Sequence, residues 1–197
     1  MELLLMSFLH SELERFTPRR IAYINDAARL HKGSPFTIAE RNAVKDSCTE
    51  FIELSLSDTP REELVNVLSE VDGIYIASGS TFDLLHTLRA TKSDQIIKDA
   101  VFKGVMYMGS SAGAIIAGPS IEPASVMDDP EEAPNLSDYQ GLNLVPHVVI
   151  PHAQGTTGPY TIDIISATVQ KYGTQWPLVL LRDGQALHVS DQKTEII

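Results

Sequence analysis

The segment Gly109-Ser110-Ser111-Ala112-Gly113 joins an apolar, strand-like run from Val105 to Met108 to an apolar, helix-like run from Ala114 to Ala117. Gly-x-Ser-x-Gly between a strand and a helix is the pattern of a nucleophile elbow, a sharp turn that lifts a serine hydroxyl above the edge of a sheet. The glycines allow the tight turn and close helix packing. The free N–H groups and positive dipole end of the new helix then face whatever negative charge develops on Ser111. The chemistry this spacing offers is acyl transfer, with Ser111 as nucleophile. The same cluster also suits a plain strand-to-helix loop with a serine N-cap, so the remaining catalytic groups decide between the two.

A serine nucleophile needs a base to take its proton and a third group to orient that base. Of the six histidines, His10, His31, His86 and His188 fall at a strand exit, in a loop, on a helix and in a late strand. His147 and His152 flank Val148-Val149-Ile150. Ligands of open parallel sheets collect at the carboxyl ends of strands, and there His152, leaving the strand through Pro151, shares an edge with Ser111. His147 lies at the wrong end. Asp183 closes the run Leu178-Val179-Leu180-Leu181-Arg182 and is the expected orienting acid. Asp183-Gly184 between two apolar runs is also a hairpin-turn signal, and the two roles are compatible. The acidic residues of the proline-rich stretch 119–138 (Glu122, Asp128, Asp129, Glu131 and Glu132) read as solvated charge on a long surface loop beside the site.

Short apolar runs alternate with amphipathic segments, which predicts an α/β fold with a mostly parallel sheet covered by helices on both faces. Strands are expected near Leu3–Leu9, Arg20–Ile24, Phe51–Leu56, Gly73–Ala77, Gly104–Met108, Val145–Ile150, Leu178–Leu181 and Ala186–Val189. Helices are expected over Phe36–Cys48, Pro60–Glu70, Phe82–Thr91, Asp94–Phe102, after Ser111, and Tyr160–Tyr172, with Ser80-x-x-Asp83 resembling a capping box. No linker divides residues 1–197, so a single domain is expected.

A net charge of −11 disfavours nucleic acid and anionic membranes as partners. No apolar run approaches the ~20 residues of a membrane helix. One cysteine, Cys48, permits no internal disulfide, and the acidic, short N-terminal run is a poor secretory signal. A cytoplasmic protein is expected. The histidines lack metal-ligand spacing and no dinucleotide fingerprint is present, so neither a metal nor another cofactor is expected.

With Ser111, His152 and Asp183 in that order, the chain resembles the peptidase E family of aspartyl dipeptidases, serine peptidases on a class I glutamine-amidotransferase-like fold related to cyanophycinase. Met1-Glu2-Leu3-Leu4-Leu5 resembles the family's first strand, and Ala77-Ser78-Gly79-Ser80-Thr81-Phe82 is similar to its Gly-Gly-Asn-Thr-Phe segment. Ser111-Ala112-Gly113-Ala114 matches the nucleophile motif; Leu142-Asn143-Leu144 with Pro151-His152 matches the histidine region, and Leu181-Arg182-Asp183-Gly184 the acid segment. The resemblance implies an oxyanion hole from the N–H groups of Gly79 and Ala112, and a small peptide as substrate. Asp183 stands where peptidase E has Glu, and Ser80 where it has Asn. The family's substrate-binding arginine is replaced by Gly158-Pro159. Ser80, Gln154 and Arg182 are the candidate substrate contacts. Strict preference for Asp is therefore not expected. Two alternatives stay open on the residues alone: a silent or regulatory member that binds a small ligand, and a small-molecule esterase or amidase. The sequence does not specify an oligomeric state.

Overall fold

A computed structural model describes all residues, Met1–Ile197. Its strands are β1 (Leu3–Met6), β2 (Arg20–Ile24), β3 (Glu50–Leu54), β4 (Gly73–Ile76), β5 (Met106–Ser110), β6 (Val148–Ile150), β7 (Thr156–Thr157), β8 (Tyr160–Thr161), β9 (Leu178–Leu180), β10 (Ala186–Val189) and β11 (Thr194–Ile196). Its helices are α1 (Leu13–Phe16), α2 (Pro35–Asp46), α3 (Arg61–Glu70), α4 (Thr81–Thr91), α5 (Ser93–Phe102), α6 (Ala112–Ile115) and α7 (Ile162–Tyr172).

Seven strands form the main sheet in the order β11-β10-β1-β5-β4-β2-β3. The five from β1 to β3 run parallel; β10 and β11 add an antiparallel edge. Period-two alternation sorts their side chains onto two faces. Leu3, Leu5, Ile74, Ile76 and Tyr107 pack with α3, α4, α5 and α6 in the larger core, while Leu4, Met6, Tyr23, Tyr75 and Met108 pack with Leu13 of α1 and Val44 of α2. The strands buried on both faces are accordingly near-continuous apolar runs. This agrees with the expected α/β class and with helices on both faces.

Two expectations change. The histidine strand β6 does not join the main sheet; it pairs in parallel with β9 in a separate two-stranded sheet. Val149 and Leu181 face the main core, and Val148 and Ile150 face Ile165 of α7. The second change is at Asp183-Gly184. Gln185 N–H bonds Arg182 O at 2.9 Å with φ +85° at Gly184, a type II-like turn, but β9 and β10 pair with different neighbours and no hairpin forms. A dipeptide fixes a local turn, not the partners of the strands it joins. Short elements without a clear period, α1, β11 and the β7–β8 hairpin, went unpredicted.

The central strands end together. Register pairs Met6 with Ser110 and Ile76 with Gly109, so the residues leaving β1, β4 and β5 emerge side by side at one carboxyl edge. α6 then packs so tightly that a Cβ on Gly113 would lie 2.1 Å from the Ile76 carbonyl oxygen of β4. No side chain fits there. Gly113→Ala is expected to destabilise the protein by about 3 kcal/mol, read as a lowered urea midpoint at unchanged slope.

Candidate active site

Ser111 follows β5 with φ +47° and ψ −108°, and His152 follows β6 with φ +56°. They are two of four non-glycine residues at positive φ, the others being Lys92 and Asn143. Such conformations cost on the order of 1–3 kcal/mol each and persist where surrounding packing enforces them. Both side chains are nearly buried, at 7% and 5% exposure, and Ser111 Oγ lies 3.2 Å from His152 Nε2. His152 Nδ1 lies 2.7 Å from Asp183 Oδ1. The structure thus brings Ser111, His152 and Asp183 into one hydrogen-bonded line. His147 remains at the opposite end of β6, and the other histidines lie elsewhere, His188 beside Glu2 and Glu195.

The acid is held from four sides. Asp183 Oδ1 also accepts from Ser7 Oγ at 2.7 Å, and Oδ2 accepts from Gln154 Nε2 at 2.7 Å and from Thr157 Oγ1 at 2.6 Å. Burial alone acts to raise the Asp183 pKa, but the bonds from His152, Thr157 and Ser7 outweigh it and hold the carboxyl well below the usual carboxylate range. Ser7 does a second task, accepting the His152 backbone N–H at 2.7 Å, so it fixes both the strained backbone of the histidine and the acid beneath the ring. Sequence reasoning passed over Ser7. The signal available was a polar residue directly after an apolar parallel strand, at the edge where ligands collect.

The ring of Tyr160 covers the other side of His152, stacked at 4.5 Å between centroids with an 8° interplanar angle. Its hydroxyl donates to Asp128 at 3.3 Å; Asp128 also accepts from Thr81 Oγ1 at 2.5 Å. Glu132 accepts from Ser80 Oγ. Two acids assigned to solvated charge are therefore pinned between the start of α4 and the tyrosine over His152, and burial raises the pKa of Asp128. The 119–138 stretch lines the site, as its position suggested, but with short 3-10 turns at Glu122–Val126 and Pro130–Glu132 and with Ile121, Pro123 and Ala124 buried.

The expected oxyanion donors lie together. Gly79 follows β4 at φ +143°, where a Cβ would lie 2.0 Å from the Ala27 carbonyl oxygen, so only glycine fits. Its neighbours Ser78 and Ser80 donate their N–H groups to Glu40 and Ala27, while Gly79 N–H bonds no acceptor in the chain. Ala112 opens α6, where first-turn amides have no intrahelical partner.

Of the candidate substrate contacts, Ser80 is buried and caps α4 by accepting from Asp83 N–H at 3.2 Å while donating to Glu132. Asp83 does not complete a capping box; its carboxylate pairs with Arg29. Gln154 braces the acid from both ends, also accepting the Asp183 N–H at 2.9 Å. Both side chains are engaged in hydrogen bonds within the fold. Arg182 is exposed, and its guanidinium makes no ion pair or hydrogen bond with the chain. A surface cavity of about 570 Å³ between the ends of β2 and β3 does not reach the triad, and its Arg29 and Arg41 are neutralised by Asp83 and Glu53.

Residues 4–197 match the model of peptidase family S51. The chain is similar to an uncharacterised peptidase of Pasteurella multocida, 33% identical over 179 residues that cover 91% of this chain and 84% of the relative. Peptidase E of Haemophilus influenzae is 27% identical over 189 residues, covering 93% and 83%. A crystal structure of a protein assigned to peptidase E from Listeria monocytogenes superposes with a TM-score of 0.86 at 25% identity, covering 100% of this chain and 97% of that one. The chain belongs to peptidase family S51 and is a serine peptidase, in agreement with the peptidase E resemblance of its motifs. No helix is long and apolar enough to cross a membrane.

Ser7→Ala leaves the buried His152 N–H without an acceptor and is expected to cost about 1–3 kcal/mol of stability, measured by urea unfolding at neutral pH. Because the Asp183 pKa is lowered by folding, its stabilising contribution is complete above the unfolded value of ~3.9 and is lost as pH falls through that value towards the folded pKa. Acid unfolding should steepen below about pH 4.

Proposed function

We propose that the protein hydrolyses short peptides through an acyl-enzyme formed on Ser111. The observation that carries this reading is the line Ser111 Oγ, His152 Nε2, His152 Nδ1, Asp183 Oδ1, at 3.2 Å and 2.7 Å. Ser111 Oγ attacks the scissile carbonyl carbon while its proton passes to His152 Nε2. The carbonyl oxygen becomes an oxyanion that accepts hydrogen bonds from the N–H groups of Gly79 and Ala112. As the C–N bond breaks, the imidazolium returns the proton to the leaving amine. Water, deprotonated by His152, then attacks the acyl carbon and frees Ser111. Asp183 keeps Nδ1 protonated and stabilises the imidazolium. Its four donors keep it a carboxylate throughout the cycle.

Substrate choice follows from charge. An N-terminal aspartate would leave water only if a cation replaced its hydration. Gly158-Pro159 supplies none, and the carboxylates of Asp128 and Glu132 are bonded to Tyr160, which stacks on His152, and to Ser80, which follows Gly79. Arg182 is the one nearby cation in sequence, exposed and unengaged. Strict preference for Asp is therefore lost, and peptides whose first residue is neutral or basic are cleaved at least as well.

A fluorophosphonate probe should label the native protein and spare folded Ser111→Ala; equal labelling would remove Ser111 as nucleophile. His152→Ala should depress labelling far more than His147→Ala. Asp183→Asn should lower kcat by about 10⁴, and an unaltered rate would remove it from the mechanism. On aminoacyl p-nitroanilides differing only in the amino acid, kcat/KM should be at least as high for Ala, Leu and Lys as for Asp. A clear Asp preference that vanishes in Arg182→Ala would overturn the specificity and name its source.

A further inference from the structure

Beneath the site lies a carboxylate with no part in the chemistry above. Glu40 projects from α2, on the face of the sheet opposite α6, and is fully buried. No cation meets it. Its oxygens instead accept from the Ser78 N–H at 3.2 and 3.1 Å, from Ser78 Oγ at 2.6 Å and from the Tyr75 hydroxyl at 3.0 Å. A buried charge held only by neutral donors is costly, and removing a carboxylate from water raises its pKa against the pull of those donors. A side chain of α2 could avoid that cost by being apolar, as Val44 one turn later is. The site therefore retains an expensive group where the core asks for a cheap one.

What Glu40 holds is specific. Ser78 immediately precedes Gly79, and its N–H is held by Glu40 while the Gly79 N–H bonds no acceptor in the chain. Gly79 at φ +143° has no side chain to restrain its own peptide plane, and Ser80 N–H, beyond it, is tied to Ala27 O at 2.9 Å. Glu40 and Ala27 thus anchor the two amides that flank the free one. We propose that Glu40 is a positioning residue for the oxyanion hole: through Ser78 it aims the Gly79 N–H at the developing oxyanion from the far side of the sheet. This rests on the catalytic assignment made above for Ser111 and Gly79.

An oxyanion donor counts most in the transition state, so misaiming one lowers kcat and leaves KM nearly unchanged. Glu40→Leu keeps bulk and removes both acceptors; Glu40→Gln restores one acceptor for the Ser78 N–H. On the p-nitroanilide that the wild-type protein cleaves fastest, Glu40→Leu should lower kcat by about 10–100-fold with KM within about twofold, and Glu40→Gln should recover most of the loss. Where Glu40→Leu does not fold, Ser78→Ala, which deletes the 2.6 Å bond and leaves the backbone amide, should lower kcat several-fold at constant KM. Melting temperatures recorded alongside separate positioning from support. A folded Glu40→Leu protein with wild-type kcat, or a Ser78→Ala protein that loses stability but no kcat, would overturn the inference. Neither result touches the nucleophile assignment, which fails only if the fluorophosphonate does not depend on Ser111.

Discussion

The carboxylate of Asp183 is the point on which the site depends. Its two oxygens take four hydrogen bonds, from Ser7 after β1, His152 after β6, Gln154 in the following loop and Thr157 of β7. Those residues come from both the main sheet and the small β6–β9 sheet, which share no ladder. Apolar packing of Val149 and Leu181 brings the two sheets together, but packing is non-directional and tolerates small shifts. Hydrogen bonds between fixed atoms do not. The carboxylate converts approximate contact between sheets into a defined distance between His152 and Ser111, and the chain supplies enough donors to keep it ionised while doing so.

Strain is concentrated where that precision is used. Ser111 and His152 both hold positive φ angles, and each is locked by β1: Ser111 N–H bonds Met6 O at 3.0 Å, and His152 N–H bonds Ser7 Oγ. The last residue of the buried first strand, Met6, and the residue after it, Ser7, thus hold the backbones of Ser111 and His152. Opposite it, Gly79, in the turn after β4, lies against Ala27, with Glu40 holding Ser78 beside it. Parallel strands on either side of β5 hold the short, buried turn at Ser111 in its conformation.

The electrostatics of the rim differ from those of the floor. Asp183 is ionised and surrounded by donors, whereas Asp128 and Glu132 sit above, tied to hydroxyls of Thr81, Tyr160 and Ser80. They close the site between the start of α4 and the tyrosine stacked on His152.

Local chemistry was legible in the sequence because it depends on local spacing. Gly109 to Gly113 between apolar runs specified an elbow; Arg20–Ile24 and Ala186–Val189 specified strands; the position of His152 beyond its strand separated it from His147. Asp183 was legible as the end of a strand, since strand direction fixes which end carries function. Pairing was not. That β6 leaves the main sheet for β9, and that Asp183-Gly184 turns between strands that never pair, depend on which apolar faces meet between segments well separated in the chain. The same limit hid Ser7, Tyr160, Asp128 and Glu40. Serine after a strand, an acid in a proline-rich loop and a glutamate on a helix are ordinary surface residues by type, and the sequence assigned Asp128 and Glu132 to solvent on that ground. Only the tertiary structure decided which polar groups are buried, because burial is a property of what packs over a residue, and a hydrogen-bond network exists only once its partners have been brought together.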